Sequence, residues 1–135
     1  MTVKEYLSQA FILDKKITSK KRQLENIRKY SGYASPVIDD MPKAHQDCQS
    51  VVERNVIRIL ELEQSIQEQL EELLKLRSEI AGVIGSINNP EYETLLEMRY
   101  LSFMGWSEIA AYFGYSSNYV FEVHRHALGL IRWQK

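Results

Sequence analysis

The sequence predicts an all-α fold, a long antiparallel helical hairpin serving as a coiled-coil arm, followed by a small helix-turn-helix domain. Three observations lead there. Apolar residues recur in alternating steps of four and three over residues 46–87, and again over 3–30. A stretch containing Gly32, Pro36 and Pro42 separates the two runs. Near the C-terminus, Ala110, Gly114 and Val120 stand four and six residues apart, with turn chemistry between two short apolar stripes.

In the first run, Tyr6, Ala10, Leu13, Ile17, Leu24 and Ile27 mark a heptad seam from Val3 to about Tyr30, interrupted at Lys20. A helix of that span is about 40 Å long at 1.5 Å per residue. Residues 31–43 cannot continue it, because proline lacks a backbone N–H and clashes with the preceding turn, so a reversing loop is expected there. The second run is cleaner: Val52, Val56, Ile59, Glu63, Ile66, Leu70, Leu73, Arg77, Ile80, Ile84 and Ile87. It predicts a helix over about 46–87, near 60 Å long. Ile57, Leu60, Leu62, Leu74, Leu76 and Val83 widen the apolar face beyond a two-stranded seam, so at least three helices are expected to meet. Glu63 and Arg77 lie on the seam, where opposite charges would set an antiparallel register between two copies or else reach solvent.

Asn88-Asn89-Pro90 stops the long helix and marks the expected boundary between an arm, residues 1–87, and a domain, residues 88–135. The domain opens with a helix from Pro90 to Phe103, with Asn89 as its cap, Pro90 in its first turn and Gly105 ending it. A short helix from Glu108 to Phe113 then buries Ile109, Ala110 and Phe113. Gly114 ends it, as the residue that most readily takes positive φ. Ser116 or Ser117 caps the last helix, whose inner stripe is Val120, Val123, Ala127 and Ile131.

Leu96-Glu-Met-Arg-Tyr100, Trp106-Ser-Glu-Ile-Ala110, Phe113-Gly-Tyr-Ser116, Val120 and His124-Arg-His-Ala-Leu128 together resemble the fourth region of bacterial sigma factors over residues 90–131. With its opening Met1-Thr-Val-Lys-Glu-Tyr-Leu-Ser-Gln-Ala10 and long heptad helix, the whole chain resembles phage and prophage late transcriptional regulators of the ArpU and RinA type. That resemblance implies control of late or lytic genes, in the cytoplasm of a bacterial host cell.

Composition narrows the alternatives. The chain has 135 residues, a net charge of −1 and a single cysteine, Cys48, so neither an intrachain disulfide nor a cysteine-built zinc site is expected. No segment reads as a signal peptide or as a membrane span, which needs about 18–20 apolar residues. Residues 1–30 hold eight basic and three acidic side chains (+5), residues 31–89 five and ten (−5), and residues 90–135 four and five (−1). The Lys15-Lys16 and Lys20-Lys21-Arg22 clusters therefore have two uses open to them, pairing with the acidic long helix or touching flanking phosphates.

On the last helix Asn118, Tyr119, Phe121, Glu122 and Arg125 are expected to face away from the buried stripe, where a helix-turn-helix presents side chains to the major groove. Asn118 suits adenine, Arg125 guanine or phosphate, Phe121 a thymine methyl and Glu122 the cytosine amino group. Ser116 and Ser117 suit a backbone phosphate at the helix start, Tyr119 reaches the DNA, and His126 lies near phosphate. His124 reads as a packed histidine and Trp106 as an apolar anchor. No metal site, cofactor or catalytic constellation is expected, and the chain does not read as an enzyme. The partner expected first is double-stranded DNA, with a homo-oligomer, a dimer foremost, making up for a single module that is not net basic. RNA polymerase or a sigma factor is the alternative partner, and a phage small-terminase-like DNA recognition subunit the alternative role.

Overall fold

The computed structural model describes the backbone of residues 1–30 and 42–132, and the side chains of 1–30 and 51–132. These residues form five α-helices and no strand: α1 (Val3–Tyr30), α2 (Pro42–Gly85), α3 (Pro90–Tyr100), α4 (Trp106–Phe113) and α5 (Ser117–Leu130). The all-α expectation holds. Of the loop expected over 31–43, residues 31–41 lie outside the described residues, while Pro42 and Lys43 already belong to α2. Pro42 opens that helix instead of closing a loop, since proline's fixed φ suits the first helical position, where no N–H is needed.

Helix α1 starts with a reciprocal cap. Thr2 N–H donates to Glu5 Oε1 (3.2 Å), and Glu5 N–H donates to Thr2 Oγ1 (3.1 Å). The bond from the Thr2 N–H, with the Thr2 side chain beside it, favours the ionised carboxylate and holds the Glu5 pKa below its ordinary value. Asn89 caps α3, its Oδ1 accepting from the N–H groups of Glu91 (3.1 Å) and Tyr92 (3.2 Å).

Packing divides the chain into two compact units, Met1–Asp14 with Glu72–Lys135, and Lys15–Glu71. The first has its core in Leu7, Ile80, Ile84, Leu95, Leu96, Ile109 and Val120, all fully buried. Side chains of this size each stabilise a fold by about 1.5–3 kcal/mol when removed from water. In the second unit Ile17 and Leu24 of α1 and Leu62 and Ile66 of α2 are buried. There the two stretches run in opposite senses, with Lys20 Nζ donating to Ser65 Oγ and Arg28 ion-paired to Glu63.

The seam of α2 differs from the expected one. Val56 and Glu63 are exposed, whereas Leu62 is buried and Asn55 half-buried, so over 52–66 the stripe through Val52, Ile59 and Ile66 is completed by residues one position earlier than expected. Neither Glu63 nor Arg77 waits on the seam for a second copy. Glu63 pairs with Arg28, and the Arg77 guanidinium lies 5.6 Å from the centre of the Phe103 ring. Of the apolar residues flanking the seam, Ile57, Leu60 and Leu74 are exposed, Leu76 and Val83 half-buried.

Two boundaries near the C-terminal helices also move. Helix α3 ends at Tyr100, not Phe103, and Gly105 is the N-cap of α4, not the terminator of α3. Helix α4 accordingly begins at Trp106, two residues before the expected Glu108. The cause is Phe103, which takes φ 58°, a left-handed backbone no helix continues through. Arg99 holds that connection, its Nη1 donating to the carbonyl of Met104 at 3.0 Å.

Candidate nucleic-acid interface

The helix pair α4–α5 is built from its turn outward. Gly114 adopts φ 72°, ψ 28°. Its N–H reaches the carbonyl of Ala111 (3.3 Å), and the Tyr115 N–H reaches that of Ala110 (3.0 Å). These are the two bonds of a Schellman ending, which satisfies carbonyls a helix terminus would otherwise leave unpaired. Two residues on, Ser116 is extended and its Oγ accepts from the Tyr119 N–H at 3.2 Å, capping α5. The Tyr115 hydroxyl donates to the Glu91 carboxylate and so ties the turn to the start of α3. That bond to a carboxylate pushes the Tyr115 pKa up to about 12.

Beneath α5 lies a polar pair inside an apolar core. Val120, Val123, Ala127 and Ile131 are buried, as the inner stripe requires, and so is His124. The Tyr100 hydroxyl stands 2.6 Å from His124 Nε2. Burial, with the charges of Lys4 and Arg99, depresses the His124 pKa to about 4, so the ring is neutral near pH 7 and the phenol O–H donates to it. Burial likewise pushes Tyr100 up to about 12. Trp106 meets His124 edge-on (ring centres 4.6 Å apart) and Phe121 (5.3 Å), and the Arg99 guanidinium covers its ring at 4.3 Å. Trp106 is thus the anchor expected of it, through cation–π and edge contacts as well as apolar burial.

The residues singled out as contacts all reach the surface. Ser116, Ser117, Asn118, Tyr119, Phe121, Glu122, Arg125 and His126 are exposed. Two have neighbours that steady them, Phe121 against Trp106 and Tyr119 against Tyr115, the latter rings 4.7 Å apart. Sequence reasoning missed the supporting set, Glu91–Tyr115, Arg99–Trp106 and Tyr100–His124. Its signal was the polar dipeptide Arg99-Tyr100 inside an apolar run, since a buried phenol and a buried imidazole each demand a partner.

Residues 43–131 match the family described as "Protein of unknown function (DUF1492)". The chain belongs to that family. The DUF1492 span takes in nearly all of α2 and the whole of α3, α4 and α5, and stops at Ile131, the residue that caps α5. No curated protein and no solved structure matches the chain. Among the described residues of this DUF1492 protein no three His, Cys, Asp or Glu side chains are grouped to hold a metal ion, and no helix is long and apolar enough to cross a membrane.

Proposed function

We propose that this chain is a sequence-specific DNA-binding transcriptional regulator, an activator of the phage late or lytic type its sequence resembles, reading DNA with a sigma-like helix-turn-helix made of α4 and α5. The observation that carries the reading is the outer face of α5. A helix fixed at its start by Gly114 and Ser116 and from below by His124 leaves Asn118, Glu122 and Arg125 exposed. These side chains suit base edges in the major groove.

Affinity has to come from more than one module, because Arg125 is the one arginine or lysine among the proposed contacts and Glu122 opposes it. An oligomer through residues 1–87 supplies a second half-site. On α1, Arg28 pairs with acidic Glu63, but Lys20 goes to a serine, and Lys16, Lys21 and Arg22 are exposed and suited to flanking phosphates. The test is retardation of promoter fragments from the protein's own genomic neighbourhood over a salt series, with the Asn118→Ala, Arg125→Ala double variant beside the wild type. Loss of two base contacts is expected to weaken binding at least about tenfold, with helicity unchanged. No retardation of any fragment at low salt would sink the reading.

The adaptor reading has an observation of its own. Tyr112, Tyr119 and Phe121 are exposed aromatic residues on a face of low net charge, which suits a protein partner such as RNA polymerase or a sigma factor. Polymerase retained equally by the wild type and the double variant, without DNA retardation, would favour it.

A further inference from the structure

Within the unit formed by Met1–Asp14 and Glu72–Lys135, a pocket of about 100 Å³ opens between the start of α1 and the end of α3. Lys4, Ser8, Phe11, Arg99, Tyr100 and Phe103 line it. Two cations face this pocket and no carboxylate does, and neither Lys4 nor Arg99 is ion-paired among the described residues. We propose that the pocket binds a small organic carboxylate, its charge between Lys4 and Arg99 and its apolar body against Phe11 and Phe103.

Each wall restricts the ligand. Arg99 spends one N–H on Met104 and has further donors in a planar fork that matches a carboxylate, while Lys4 adds a point charge. The Ser8 hydroxyl already donates to the Lys4 carbonyl at 2.7 Å, so it offers an incoming anion no proton. Binding therefore falls to the two cations. Phe11 and Phe103 meet edge-on with ring centres 5.6 Å apart and give the pocket an apolar side. That side favours an organic acid over inorganic phosphate. The volume is below the roughly 150 Å³ of a cavity that holds benzene, which suits a short aliphatic body.

Two further observations point to the same place. Phe103 holds its positive φ at the pocket wall, a conformation that is strained for a bulky residue. The charges of Lys4 and Arg99 are also felt at buried His124, whose protonation they oppose. An anion between them offsets that field, so ligand binding is linked to the histidine that supports α5.

The full-length chain carrying Trp133→Phe keeps Trp106, under Arg99, as its one tryptophan. Its fluorescence is followed during titration with isovalerate, with inorganic phosphate and chloride at matched ionic strength as the comparison arms. A saturable change with isovalerate is expected, weakened about tenfold or more by Lys4→Gln, which alters only an exposed side chain. At about pH 6, where the carboxylate is ionised, saturating isovalerate is expected to shift the NMR resonances of the His124 ring. No saturation by about 10 mM, an equal response to chloride, tighter binding of phosphate, or unchanged affinity in Lys4→Gln would each overturn the proposal. None of these readouts involves DNA, so they stand apart from the fate of the DNA-binding reading.

Discussion

A histidine inside a core is tolerated only while it is neutral and hydrogen-bonded, and position 124 meets both conditions through Tyr100. Its depressed pKa has a consequence for stability whose sign follows from proton binding. Between about 4 in the folded state and its ordinary 6.5 when unfolded, the unfolded chain binds the extra proton. The stabilisation is therefore complete above pH 6.5 and is lost as pH falls toward 4. Its size is on the order of 2 kcal/mol once solvent screening is allowed for. Comparing denaturant unfolding of the wild type and His124→Gln at pH 7 and pH 4.5 isolates it. The difference between the two proteins is expected to shrink at the lower pH. A constant difference would show that the ring is not held neutral by the fold.

At the scale of elements, the α4–α5 turn rests on one residue. Gly114 has φ 72° with open space where a side chain would be added, so substitution costs backbone strain and nothing else. Gly114→Ala is expected to lower stability by about 1–2 kcal/mol in denaturant unfolding, and Gly114→Asn by less, since asparagine tolerates the left-handed region. Equal losses from both would place the cost elsewhere. This turn was legible in the sequence because every part of it is local: a glycine, a capping serine two residues on, an apolar stripe on either side. The cap at Asn89 and Pro90 was legible for the same reason. The end of α3 was not, because it depends on the positive φ of Phe103 and on Arg99 reaching the Met104 carbonyl, neither of which has a periodicity. The inner face of α2 was ambiguous for a different reason. A stripe through Val52, Ile59, Ile66, Leu73 and Ile80 can be completed by the residue three or four positions on, and only the packing partner selects Leu62 over Glu63. The outer face of α5 could be read once its inner stripe was set, whereas the supports beneath it join residues 24 apart and leave no local pattern.

For the molecule as a whole, that choice on α2 leaves apolar surface uncovered. Val56, Ile57 and Leu60 are 49%, 57% and 59% exposed, and their spacing puts them on one side of the helix. A second copy of the chain is the occupant the proposed function calls for. A two-fold contact presents the same patch from both partners, so each buried side chain counts twice. The variant Val56→Lys, Leu60→Lys puts like charges into such a contact, while in the separate chain it changes only exposed positions, where substitutions usually shift stability by no more than about 0.5 kcal/mol. Sedimentation equilibrium is expected to give the wild type a multiple of the 15.8 kDa chain mass and the variant that mass itself, with circular dichroism unchanged. DNA retardation is expected to fall with it, because the loss of a second half-site removes the contacts that offset the weak charge of each α5. A wild type that stays at the single-chain mass over the whole concentration range, or a variant that keeps the wild-type mass, would remove α2 as the joining surface. The half-sites would then have to be brought together by a different face of residues 1–87, or each module would bind alone.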